Sequence, residues 1–286
     1  MIAVADGGST KADWRFVRPE GGIEAHSTTG FNPVLVSSDD IVGILERELP
    51  AGYMTKVVTG VFYYGTGCSD PVYQDIVRSA MNRIFPGAEV MVDHDLTAAA
   101  RATCGHEEGI ACILGTGSNS GFYDGKNLLD QVTNLGYLLG DEGSGNHIGK
   151  LLLTAYFYRE MPKELAADFG RLIPGGRSEL LQHLYREPAP NAYLATFARF
   201  CQDHRDHFFV QSLVATAFEA FVDRHLRKYQ RHMSVPSHFV GSVAFYFQEI
   251  MRSVLSARGM QTGLFIQKPI DRLVLFHAGD SEKAQP

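Results

Sequence analysis

Residues 88–120, AEVMVDHDLTAAARATCGHEEGIACILGTGSNS, restrict the fold more than any other part of the chain. An apolar run at 90–92 leads into Asp93-His94-Asp95, and small residues at 96–103 carry a helical pattern. A second apolar run at 109–114 then opens into Gly115-Thr116-Gly117-Ser118. A carboxylate thus stands where a strand gives way to a helix, and a glycine–hydroxyl loop stands where the next strand ends. Strand ends are where open α/β sheets present side chains and backbone N–H groups to a ligand. Glycine lets the backbone approach a phosphate closely, and its N–H groups supply the positive end. The stretch predicts a nucleotide beside a positioned base.

The chain before it begins with a short apolar run, residues 1–5, that ends in Asp6-Gly7-Gly8-Ser9-Thr10-Lys11. Residues 12–17 read as a second strand with Trp14 and Phe16 on one face. The Gly-Gly-Ser-Thr tip of such a hairpin suits a phosphate, although Asp-Gly-Gly also satisfies an ordinary polar turn. It is not a P-loop, because GxxxxGK[ST] is absent and no helix follows. A third strand is expected at 21–27, a loop at 28–33 and a helix at 39–48 capped by Ser37 or Ser38. A strand at 56–64 runs into Gly65-Thr66-Gly67, and a helix follows at 75–85.

From residue 109 the pattern restarts, with strands at 109–114, 120–123 and 128–132 and a glycine-rich bend at 135–145. A helix at 147–159 opens a largely helical stretch to residue 230, broken near 174–176 and 188–190. A strand at 238–243 carries Gly241-Ser242, a helix spans 245–258, and 272–278 is a last apolar segment. Glycine-turned strands recur in both halves without visible identity. This predicts two related α/β lobes, residues 1–106 and 107–286, the second with a helical insertion and a cleft between them. The polar tail at 279–286 reads as a frayed end.

Composition narrows the function. A chain of 286 residues with 45% hydrophobic content can bury one large core or two ordinary ones. A net charge of −6 excludes a general nucleic-acid or membrane-surface binder. The basic cluster at 224–231 reads as a solvated helix end. Cys68, Cys104, Cys112 and Cys201 show no zinc-type spacing and are expected as reduced thiols. The first residues lack the pattern of a signal peptide, and no run approaches the roughly 18 apolar residues of a membrane span, so a cytoplasmic protein is expected. The helical segment after residue 147 offers a surface for a homodimer.

Five motifs occur in a telling order: DGGSTK at 6–11, DHDLTAAARA at 93–102, GTGSNS at 115–120, GDEGSG at 140–145 and VGS at 240–242. Together they resemble the N-acetylglucosamine kinase branch of the superfamily that joins sugar kinases, actin and the large heat-shock ATPases. The BadF/BadG-type ATPases lie in the same branch. The resemblance covers nearly the whole chain and implies two ribonuclease-H-like lobes that close over ATP, magnesium and a small-molecule sugar.

It also implies roles. Asp6 would hold magnesium, a hard cation that suits one carboxylate plus phosphate oxygens. Gly7, Gly8, Ser9, Thr10 and Lys11 would cradle phosphates together with Gly115, Thr116, Gly117 and Ser118. Gly241 and Ser242 resemble the adenosine loop. Asp95 resembles the general base, since it stands before Leu-Thr-Ala-Ala-Ala where the family places its aspartate. Asp93 is the competing carboxylate, two residues away, and helix capping is the simpler role for it. His94 is expected to point away. Asn32, Gly65, Thr66, Gly136 and Asp141 resemble the sugar pocket, with Glu142 as an alternative to Asp141. The implied activity is phosphorylation of an amino sugar such as N-acetylglucosamine. The alternative is an ATPase that drives a partner protein. Its iron–sulfur version needs cysteines that Cys104 and Cys112 do not match.

Overall fold

The computed structural model describes residues 1–55 and 58–283. The chain divides into two compact units, Met1–His106 with the chain from Lys268 onward, and Glu107–Gln267.

The first unit opens with β1 (Ile2–Gly7), β2 (Lys11–Val17) and β3 (Ile23–Thr29). Alternation sets the ribbon's faces: Trp14 and Phe16 are fully buried, while Asp13 and Arg15 are only half-buried. There follow α1 (Ser38–Glu48), α2 (Ala51–Thr55), β4 (Gly60–Gly65), α3 (Pro71–Ile84), β5 (Glu89–His94) and α4 (Asp95–Cys104). Ser37 and Asp40 form a reciprocal capping box that starts α1, and Asp70 with Pro71 starts α3. The sheet order is β3-β2-β1-β4-β5, with an antiparallel ribbon feeding three parallel strands.

The second unit repeats that plan. It contains β6 (Glu108–Leu114), β7 (Ser118–Asp124), β8 (Leu128–Asp130), α5 (Gly136–Leu139), α6 (Gly145–Phe157), α7 (Lys163–Gly170) and α8 (Gly176–Tyr185). Then come α9 (Pro190–Thr196), α10 (Ala198–Asp203), α11 (Phe208–Arg224), β9 (Ser237–Val240), α12 (Ser242–Tyr246), α13 (Gln248–Ser256) and β10 (Thr262–Ile266). Its sheet runs β8-β7-β6-β9-β10, the same antiparallel ribbon and parallel trio. Both units are ribonuclease-H-like. The helical insertion supplies the core: Val210, Val214, Ala217, Phe218 and Phe221 on one face of α11 are all fully buried. At about 2 kcal/mol per buried large side chain, that stripe outweighs α11's weak intrinsic propensity.

Several expectations need correction. The last element, α14 (Ile270–Lys283), packs on α4, β1 and β2, so it belongs to the first unit rather than to the lobe expected at 107–286. Its Ile270, Leu273 and Val274 are buried there, which is why 272–278 is apolar, and the helix continues through most of the tail expected to fray. Residues 284–286, and 56–57 at the start of the strand expected at 56–64, lie outside the described residues. The strand expected at 238–243 stops at Val240, where Gly241 takes a positive φ. The helix expected at 245–258 is broken at Phe247, and β10 was not foreseen. All four cysteines are buried thiols. Among the described residues no helix is long and apolar enough to cross a membrane.

Candidate active site

In the first unit the parallel strands end level. Asp6 pairs in register with Tyr64 and Tyr64 with Asp93; one step on, Gly7 pairs with Gly65 and Gly65 with His94. The β1–β2 tip, the Gly65-Thr66 loop and the start of α4 therefore leave the same carboxyl edge. Thr66 N–H donates to Gly7 O at 3.0 Å, and Gly8 N–H closes the hairpin onto Lys11 O at 2.8 Å. Gly67 has φ +78°, and a Cβ there would overlap Asn32 Oδ1, so glycine lets the Asn32 loop reach this edge. Asp6, Gly7 to Lys11, Asn32, Gly65, Thr66 and Asp95 are thus gathered along one strand edge. Lys11 rests its ammonium on Asp13 at 2.7 Å.

The electrostatics of this edge are acidic. Burial, then repulsion by Asp13 and Asp95, pushes the Asp6 carboxyl up to about 6, with Lys268 partly opposing. A cation would relieve that crowding. Among the described residues no cluster of three or more His, Cys, Asp or Glu could hold a metal. A lone carboxylate sharing its cation with phosphate oxygens fits magnesium, which keeps most of its waters.

The two candidate bases differ in their commitments. Asp93 Oδ1 accepts from the His94 backbone N–H at 2.8 Å and from Thr97 Oγ1 at 2.9 Å, which ties it to the first turn of α4. Asp95 is the first residue of α4, with 44% of its side chain open. Despite that opening, the surrounding protein raises its pKa by burial, opposed by His94 and by the backbone N–H groups of Leu96 and Asp95. His94 does not point away as expected. Its ring lies between the two carboxylates, with Nε2 3.8 Å from Asp93 Oδ1 and Nδ1 4.0 Å from Asp95 Oδ1.

In the second unit the β6–β7 turn is closed by Gly115 N–H donating to Gly117 O at 3.0 Å. Asp141, expected at the sugar, is the pin that holds this turn. Its Oδ1 accepts from Ser118 N–H at 3.0 Å and from Asn134 Nδ2 at 2.6 Å, and its Oδ2 accepts from Asn146 Nδ2 at 2.8 Å. Glu142 is anchored to α11 by Arg224 at 2.5 Å and His225 at 3.1 Å. Gly136 stands exposed at the start of α5, its N–H donating to Asn134 Oδ1.

A cavity of about 380 Å³ brings Gly115 and Thr116 together with Ser242. Its other wall, from α9, α10 and α12, includes Thr196, Arg199, Gln202 and Tyr246. None of these four was foreseen, because helix packing rather than a local motif brings them there. Next to Ser242 in the chain, Gly241 has φ +118°, and a Cβ would overlap Leu114 O. Only glycine allows the end of β9 to pass that close to the end of β6.

No family model matches the chain, and no curated protein matches it. Among solved structures, a candidate N-acetylglucosamine kinase from Porphyromonas gingivalis is 36% identical with a TM-score of 0.91, over 98% of this chain and all of the other. The chain belongs to the N-acetylglucosamine kinase-like branch of the sugar kinase and actin superfamily. A second candidate N-acetylglucosamine kinase, from Chromobacterium violaceum, shares the fold at 18% identity and TM-score 0.70, over 96% of this chain and 99% of that one. A ROK family glucokinase from Streptomyces griseus, in complex with glucose and AMPPNP, shares it at 15% identity and TM-score 0.56, over 98% of each chain.

Proposed function

We propose that this protein transfers the γ-phosphoryl group of ATP to a hydroxyl of an amino sugar, N-acetylglucosamine or a close analogue. The observation that carries the reading is the single strand edge on which Asp6, the β1–β2 tip, Asn32, Thr66 and Asp95 meet. The family's named members are candidate kinases of that sugar.

Asp95 serves as general base. The sugar oxygen forms a bond to the γ-phosphorus, the bond to the β,γ-bridging oxygen breaks, and the hydroxyl proton passes to the Asp95 carboxylate. A pKa raised by burial brings this base nearer the proton's working range. Asp6 would hold magnesium, which when bound neutralises charge on the phosphates. Ser9 and Thr10 at the first tip and Thr116 and Gly117 at the second offer backbone N–H groups to phosphate oxygens, Gly7, Gly8, Gly115 and Ser118 shape the two turns, and the cavity beside Ser242 and Tyr246 takes the base. Asn32, Gly65 and Thr66 bind the sugar. Asp141 and Glu142 act through the loops they brace rather than on the sugar, and Gly136 stays a candidate sugar contact.

The test is ADP release with magnesium–ATP over a panel of free sugars and a no-sugar control. Many-fold stimulation by N-acetylglucosamine or a close analogue supports the reading. Equal release with and without every sugar replaces it with an ATPase that serves a partner protein.

A further inference from the structure

His94 occupies the N-cap of α4, yet its side chain makes no capping bond. The ring instead lies against Thr97, with Nε2 3.3 Å from Oγ1. Thr97 has one hydroxyl hydrogen, and it goes to Asp93 Oδ1 at 2.9 Å. An ionised carboxylate only accepts, so Thr97 can meet His94 only as an acceptor, and Nε2 must carry the hydrogen. In the neutral ring Nδ1 is then the bare nitrogen. That is the nitrogen facing Asp95 Oδ1, at 4.0 Å, a span closed by one water or a small turn of the Asp95 carboxyl.

We infer that His94 is a positioning and relay residue for Asp95, receiving on Nδ1 the proton that Asp95 takes from the substrate hydroxyl. The inference rests on the kinase reading. The proton leaves the sugar oxygen as the O–P bond forms, resides on Asp95, and moves to Nδ1, which restores the Asp95 carboxylate. The resulting imidazolium stands between Asp93 and Asp95, with its Nε2–H held by Thr97. Its side chain is 20% exposed, so it returns the proton to solvent. Among the described residues, Asp6 from β1 senses Asp95, and Cys68 from the loop after β4 senses Asp95 and Asp93; neither is a cation that would oppose a charge on His94.

The experiment combines nitrogen NMR of the histidine rings in the intact, ligand-free protein with kinetics of His94→Gln and His94→Ala at saturating magnesium–ATP and sugar. NMR should show His94 with its hydrogen on Nε2; a hydrogen on Nδ1 overturns the relay without any need for turnover. Both variants should lose about tenfold in kcat with little change in either KM, as for a group assisting proton transfer. External imidazole should restore most of the His94→Ala loss, which a purely structural role would not allow. Unchanged kcat, or a loss that imidazole does not restore, overturns the relay alone. Wild-type protein that turns over no faster with any sugar overturns the kinase reading, and the relay with it.

Discussion

Asp6 and Asp13 are register partners across β1 and β2, and their carboxyls are driven in opposite directions. Burial raises both. At Asp13 hydrogen bonds from Lys11, Lys268 and Ser27 outweigh it and hold the group well below the usual carboxylate range. Asp6 meets repulsion from Asp13 and Asp95 instead and rises to about 6. One strand pair thus offers a settled carboxylate and one whose charge is costly until a cation arrives.

Asp6→Asn should stabilise the ligand-free protein while abolishing magnesium-dependent turnover. A carboxyl whose folded pKa of about 6 exceeds its unfolded value adds stability below the unfolded pKa and loses it as pH rises through the folded one. The penalty at pH 7.5 is on the order of 3 kcal/mol, and it fades as pH falls from 6 to 4. Thermal melts of both proteins at pH 7.5 and 4 check this; parallel curves at both values contradict it.

Asp95→Asn should cut sugar-dependent turnover by about 10²–10⁴, the usual share of a general base. Nucleotide affinity by calorimetry should stay within a factor of about two, because the amide keeps the shape of the site. Near-normal turnover would remove Asp95 from the mechanism.

Asp141→Ala separates a loop brace from a sugar ligand. It leaves Ser118 N–H, Asn134 and Asn146 without their acceptor, at about 1–3 kcal/mol. The expected kinetic mark is a raised KM for ATP with a lowered melting temperature. A rise confined to the sugar KM, with stability intact, would put the carboxylate on the sugar.

Arg199→Ala and Tyr246→Ala each remove part of the cavity wall beside Ser242. Each should raise the ATP KM by about tenfold, the value of one good aromatic or cationic contact, and leave the sugar KM unchanged. Saturation with ATP unaltered in both variants would place the base elsewhere.

The parts legible in sequence are those with local causes. Glycine, hydroxyl and aspartate residues at strand ends mark the β1–β2 tip, the β6–β7 turn and the start of α4, because turn chemistry and close approach need those residue types. Strand β10 is hard to read from sequence because it is short, sits at the sheet edge and carries Gly263 as its second residue, against the His238 ring. The break at Phe247 has no glycine or proline to announce it. The bracing bonds of Asp141 could not be read from sequence, because its partners Ser118, Asn134 and Asn146 converge only through the fold. His94 is expected from sequence to point away, but it stands at the N-cap of α4, where the side-chain alternation of a strand no longer holds.

The return of the chain at Lys268 has a bearing on synthesis. The second unit is one contiguous stretch, Glu107–Gln267, and can fold as soon as that stretch has left the ribosome. The first unit, though begun earlier, exposes the α4 and β1 surface that Ile270, Leu273 and Val274 cover until α14 arrives. The unit translated first is therefore completed last, and its apolar face must wait uncovered while some 160 further residues are made.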